Sequence, residues 1–139
     1  MRDEIAVRLV NSWDKDEIVN LYHAGGWWKD DYNPDDLANL IRGSFAFAVA
    51  VDSKTGRAAG MGRIISDGVS DAYIQDLVVL PQYRKRGIGR KIVEALVNKC
   101  RDAGISWIGL IAEPGTDKFY LPVGFHPMEG HIPLILRCE

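Results

Sequence analysis

The run YRKRGIGRK (83–91) gathers the residues best suited to holding an anion. Arg84, Lys85, Arg86, Arg90 and Lys91 are five of the chain's 17 Lys and Arg residues, and Gly87 and Gly89 lie among them. A helix start leaves backbone N–H groups unpaired and carries the positive end of the helix dipole. Glycines there let the backbone come close to an anion, and neighbouring cations screen a multiply charged one. The run therefore reads as a pyrophosphate cradle. It is not a nucleotide P-loop, which needs G-x-x-x-x-G-K-[ST]. Nor is it a dinucleotide fingerprint, because Ile92 stands where the third glycine belongs. Without a ligand, the same residues would simply open a solvated basic helix.

The surrounding pattern supplies elements to position such a cradle. EIAVRLV (4–10) alternates as a first strand, and NSWDKDEIVNLYHA (11–24) opens a helix that Ser12 or Asp14 can cap, with Ile18, Leu21 and Tyr22 as its apolar stripe. The loop GGWWKDDYNP (25–34) ends in Asn33 as a cap and Pro34 at a first helical position, followed by a short helix through Leu37, Leu40 and Ile41. SFAFAVAVD (44–52) and AAGMGRIIS (58–66) form a hairpin across SKTG. DAYIQDLVVL (71–80) is largely apolar and reads as a central strand covered on both faces. A helix from Gly87 to about Ala103 carries Ile88, Ile92, Val93, Leu96, Val97 and Cys100 on one face. Then come a strand at 106–112, a helix at 115–122 ended or kinked by Pro122, and a last strand HIPLILR (131–137). The order β-α-α-β-β-β-α-β-α-β is α+β, a mixed sheet with helices on its faces, in one domain spanning 1–139.

Composition narrows the function classes. The 139 residues carry a formal charge of −2, which gives no whole-protein attraction for nucleic acid, so the basic run points to a local anionic partner. Cys100 and Cys138 show neither metal nor disulfide spacing and read as thiols in a reducing compartment. His23, His126 and His131 are scattered, so no metal is expected. No apolar run reaches membrane-spanning length and MRDEIAVRLV is charged where a secretory peptide is apolar, so a cytoplasmic protein without membrane partners is expected.

R-x-x-G-x-G at Arg84, Gly87 and Gly89, after LVVLPQYR, resembles the acyl-CoA motif of the GNAT superfamily of N-acetyltransferases. FYLPVGF (119–125) is similar to a second family motif, and the elements between fall in the family's order. The resemblance covers 44–125 well and the N-terminal third loosely. It implies a mostly antiparallel sheet with splayed central strands and helices on both faces. It also implies acetyl-CoA as co-substrate and direct transfer of its acetyl group to a primary amine of a small molecule or protein. Leu77, Val78 and Val79 would pair with the pantetheine arm like an added strand. Backbone groups through Arg84, Lys85, Arg86, Gly87, Ile88, Gly89 and Arg90 would hold the pyrophosphate.

The same resemblance implies the catalytic roles. Tyr120 matches the general acid that protonates the departing thiolate, and a phenol remains protonated at neutral pH. The base is open between Asp76, in an apolar run where burial makes a carboxylate a better proton acceptor, and Glu113, where the family often has asparagine. Thr116 stands where alanine is common, and both departures bear on contacts to the cofactor arm. The loop between the first two helices would roof the acceptor: Trp27, Trp28 and Tyr32 to grip an apolar or aromatic body, Asp30 and Asp31 to attract a cationic amine. A structural loop, a water chain in place of a base, and an acyl-CoA-binding sensor without turnover are the alternatives. A homodimer is compatible with all of them.

Overall fold

The computed structural model describes residues 4–137. Cys138, one of the two thiols considered above, lies outside them. A single sheet has the order β1-β2-β3-β4-β5, so spatial order equals chain order. β1 (Ile5–Leu9), β2 (Ala46–Asp52), β3 (Arg57–Ser66) and β4 (Asp71–Val79) pair antiparallel, and β5 (Trp107–Leu110) adds parallel to β4. That last connection needs a crossover, which α3 (Ile88–Asp102) supplies.

Alternation along β2 explains how both faces of the sheet are covered. Ala46, Ala48 and Ala50 point to α3, packing with Ile92, Val93 and Leu96. Phe47, Val49 and Val51 point the other way, to Ile18 and Leu21 of α1 (Lys15–Gly25) and Leu37 and Ile41 of α2 (Leu37–Gly43). Small residues on one side let α3 approach closely. At Gly62 of β3 an added Cβ would lie 3.0 Å from Ile92 Cγ2. Helix α1 begins where Asp14 accepts from the Glu17 N–H at 3.1 Å. Asn33 accepts from the Asp35 N–H at 3.0 Å to start the turn Pro34–Asp36 before α2.

Three expectations are corrected. The strand covered on both faces is β2, buried along its whole length, whereas β4 exposes Tyr73 and Gln75 on one face. The face of β4 that carries Tyr73 and Gln75 is left uncovered there, while Ala72 and Ile74 on its other face pack into the core beneath α3. Residues 115–122 hold only a short helix α4 (Asp117–Tyr120), and the chain tightens to a 3-10 turn at Leu121–Val123, where Pro122 removes a donor. Residues 131–137 form no strand: they are exposed, with no ladder partner among the described residues. Two helices on one face and one on the other give the expected α+β arrangement.

Candidate active site

The connection from β4 to α3 is built from alternating backbone hands. Lys85 (φ 64°) and Gly87 (φ 77°) are left-handed, Arg84 between β4 and Lys85 is extended, and α3 starts immediately after Gly87. Such alternation turns successive N–H groups toward one concavity. No side chain caps the start of α3, so its first amides face that concavity without a side-chain acceptor. The turn is pinned from behind. Tyr83 donates to Asp52 Oδ2 at 2.6 Å, and the Arg86 guanidinium stacks 5.5 Å above the Tyr83 ring. That hydrogen bond is the main cause holding the Asp52 carboxyl below the usual carboxylate range and pushing the Tyr83 phenol up. Arg84 folds back so that its Nε donates to the Val79 carbonyl at 2.9 Å, tying the cradle to the end of β4. Gly89 is needed for a different reason. A Cβ there would sit 3.1 Å from Phe119 Cζ, so the helix start and α4 touch.

β4 is split along its length. Asp71, Ala72, Tyr73 and Ile74 pair with β5, and from Gln75 to Val79 that edge has no β5 partner. Opposite β3, Gln75 pairs with Arg63 and Val78 with Met61, so Asp76 and Leu77 face Gly62 alone. This two-against-one bulge puts Asp76 at φ 59°, a left-handed conformation that costs a non-glycine residue roughly 1–2 kcal/mol. Leu77, Val78 and Val79 therefore lie where the two strands have parted, and their edge runs straight into the glycine turn.

Side chains hold the bulge from three elements. Asp76 Oδ2 accepts from Arg63 Nε of β3 at 2.7 Å and from the Tyr22 hydroxyl of α1 at 2.8 Å, while Arg63 Nη1 also reaches Ser44 Oγ at 3.5 Å. Burial, then the adjacent Asp76 charge, raises the Tyr22 phenol far above its ordinary range. Sequence reasoning missed Tyr22 and Arg63 as site residues. By its spacing Tyr22 belongs to the apolar stripe of α1, and its ring does pack in the core. Only the pairing across 54 positions reveals what its hydroxyl does.

On the other side of the gap, Trp27 Nε1 donates to Glu113 Oε1 at 2.9 Å, tying the loop after α1 to the chain just beyond β5. Glu113 is near enough to Tyr120 for its charge to raise the phenol, second to burial. Tyr120 stacks edge-on with Phe119 (4.9 Å) and Phe125 (5.9 Å). Tyr22 touches the rings of Trp27 (6.3 Å) and Trp28 (6.2 Å), so a ring contact and hydrogen bonds join Asp76, Tyr22, Trp27 and Glu113, and the Glu113 charge acts on Tyr120 beyond them. Thr116 takes a local role, its hydroxyl donating to the Glu113 carbonyl at 2.7 Å.

Trp28 and Tyr32 lie further out. Their rings meet at 5.4 Å and line an open cleft of about 310 Å³ with Asp31, Asp36 and Leu40. Asp30 is exposed and is not among the cleft's lining residues. Among the described residues no three His, Cys, Asp or Glu side chains are grouped to hold a metal ion.

Residues 10–125 match the family described as Acetyltransferase (GNAT) family. GCN5-related N-acetyltransferase 1, chloroplastic, of Arabidopsis thaliana is 30% identical over 118 residues, covering 85% of this chain and 59% of the plant protein. Serotonin N-acetyltransferase 2, chloroplastic, of Oryza sativa subsp. japonica is 40% identical over 76 residues, 55% of this chain and 38% of its own. The chain thus spans less than two thirds of the length of these curated relatives. A GNAT family acetyltransferase from Streptococcus pneumoniae superposes with a TM-score of 0.79 at 23% identity, covering 96% of this chain and 98% of that one.

Proposed function

The chain belongs to the GNAT family of acetyltransferases, and from that premise we propose that it transfers the acetyl group of acetyl-CoA directly to a primary amine. One observation carries the reading. Within 75–90, a strand edge that β5 has left runs into a left-handed, glycine-bearing turn and an uncapped helix start. An extended amide-bearing arm needs the first, and a pyrophosphate needs the second. Both needs belong to one molecule, CoA.

The amine nitrogen attacks the thioester carbonyl, the C–N bond forms and the C–S bond breaks. An N–H at the end of the β4 bulge is suited to polarising the carbonyl oxygen. The departing sulfur takes a proton from the Tyr120 hydroxyl, which burial and Glu113 keep protonated well into alkaline pH. The amine's surplus proton passes to a carboxylate or to water. Asp76 already accepts two hydrogen bonds on Oδ2, so its part is to hold the bulge, and Glu113 is the better placed acceptor. The acceptor enters past Trp27, Trp28 and Tyr32. Two aromatic rings together with Asp31 and Asp36 in the lining of the cleft favour a cationic amine on an apolar or aromatic body, and the rice relative acts on serotonin.

The test is thiol release from acetyl-CoA in a panel of arylalkylamines, polyamines, aminoglycosides, amino acids and N-terminal peptides. Amine-dependent release, strongest with arylalkylamines, is expected. Tight CoA binding with no release for any amine would make the chain a CoA sensor instead.

A further inference from the structure

The half-buried indole of Trp27 stands two residues past the end of α1, and two glycines put it there. Gly26 is left-handed (φ 79°), so its N–H donates to the His23 carbonyl at 3.0 Å and the Trp27 N–H to the Tyr22 carbonyl at 3.0 Å. Such bonds close the last helical turn and fix the direction in which the chain leaves it. Gly25 acts through space instead. A Cβ there would lie 2.5 Å from Trp27 Cε3 and 2.8 Å from Cδ2, so the indole rests against the bare backbone of the helix end. A methyl group at position 25 would push it away.

Glu113 is placed just as locally. Its carbonyl accepts from the Thr116 N–H at 3.0 Å and from the Thr116 hydroxyl at 2.7 Å. Pro114 and Gly115 (φ 82°) occupy the two central positions of that turn, the order a type II turn favours. The turn leads straight into α4, which ends at Tyr120. Two turns 86 positions apart thus each present one side chain, and the two meet where Trp27 Nε1 donates to Glu113 Oε1 at 2.9 Å. That is the one hydrogen bond on the carboxylate among the described residues, so Oε2 stays open. Glu113 itself is exposed, and packing does not restrain it.

We propose that Trp27 is a positioning residue, whose indole N–H holds Glu113 Oε1 so that Oε2 faces the attacking amine, with Gly25 keeping the indole in place. This rests on the transferase reading above, and it adds to the ring's place beside the acceptor a separate role for its N–H. Protons balance over the turnover. Oε2 takes the proton that nitrogen sheds as the C–N bond forms, and Tyr120 gives one to sulfur as the C–S bond breaks. Solvent then carries one from Glu113 back to Tyr120. A carboxylate on a rotatable arm must otherwise find its orientation anew at each attack, which costs rate and leaves binding untouched.

Steady-state thiol release from acetyl-CoA, with the most active amine of the panel above, tests this. The variants are Trp27→Phe, Gly25→Ala, Glu113→Gln, and each of the first two combined with Glu113→Gln. Trp27→Phe keeps a ring and removes the N–H, whereas Gly25→Ala keeps the whole indole and displaces it. Each should lower kcat about tenfold and leave both KM values within about twofold of wild type; a lost grip on the acceptor would instead raise the amine's KM. Glu113→Gln alone should lower kcat about 10²-fold, and beside it neither substitution should cost more than about a further twofold. Unchanged kcat in either single variant overturns the proposal. A tenfold loss that persists beside Glu113→Gln overturns it too, because the indole then acts by another route. An active wild type whose Glu113→Gln variant keeps full kcat removes Glu113 as proton acceptor, and Trp27's role with it, while acyl transfer stands. Wild type that releases thiol with no amine refutes the transferase reading itself, and the proposal falls with it.

Discussion

Replacing Tyr120 by Phe separates chemistry from packing, because the ring contacts to Phe119 and Phe125 stay and only the hydroxyl leaves. The upward shift of the phenol arises from burial and the charge of Glu113, with no hydrogen bond contributing among the described residues. Deleting the hydroxyl therefore orphans no partner, and stability should stay within about 0.5 kcal/mol of wild type. The transition state loses its proton donor. General-acid contributions run from about 10² to 10⁴, and thiolate is a tolerable leaving group, so kcat should fall about 10²-fold, or about 2.7 kcal/mol. The loss belongs in kcat, since the interaction strengthens only as sulfur gains charge. The assay is thiol release at saturating acetyl-CoA and amine, with a solvent-viscosity control showing that chemistry limits the rate. An acyl donor with a better leaving group should narrow the gap. In wild type, the loss of activity on deprotonating Tyr120 should set in only above the ordinary phenol value of about 10, and Tyr120→Phe should lack that limb. Wild-type kcat in the variant under chemistry-limited conditions removes Tyr120 from the mechanism.

Three further outcomes are expected. Gly87→Val forces a β-branched residue to φ 77°, and Gly89→Val presses on Phe119, so each should weaken acetyl-CoA binding in calorimetry more than tenfold, about 1.4 kcal/mol. Only Gly89→Val should also lower kcat, because Phe119 stacks on Tyr120; equal kcat in both variants would break that link. Trp28→Ala should raise the acceptor's KM at least tenfold while leaving that of acetyl-CoA unchanged, and equal effects on both would return the loop to a structural role. Tyr22 has its phenol raised in the folded state, so its contribution is complete below about pH 10 and is lost as pH climbs from there toward the folded value. Over that window Tyr22→Phe should flatten the fall of unfolding free energy by up to one proton, about 1.4 kcal/mol per pH unit; an unchanged slope in alkaline urea titrations would rule this out.

What was legible in the sequence was local. Asp14, Asn33, the SKTG hairpin and the apolar stripe of α3 announce their elements because caps, turns and periodicity act within a few residues. The glycine turn was readable for the same reason: its signal and its structure occupy the same nine positions. Relations between distant segments were not. Asp76 read as a carboxylate in an apolar run, yet Arg63 and Tyr22 meet it from two other elements. Trp27 read as part of an acceptor loop, but its indole is also bound to Glu113, 86 positions away. HIPLILR forms no strand because strand pattern states only a capacity to pair, and no strand among the described residues pairs with it.

The order of the sheet has a kinetic consequence. Strands β1 to β4 pair with their chain neighbours, and β2, β3 and β4 need only short turns to meet. Joining β5 to β4 closes a loop that contains all of α3. Short loop closures are fast and long ones slow, so the hairpins should assemble early and the parted β4–β5 edge late. A ligand that needs that edge and the start of α3 together finds neither in the folding transition state. Acetyl-CoA should accordingly leave the refolding rate unchanged and slow unfolding by the full factor of its binding, protecting the finished molecule from proteases that cut on global opening.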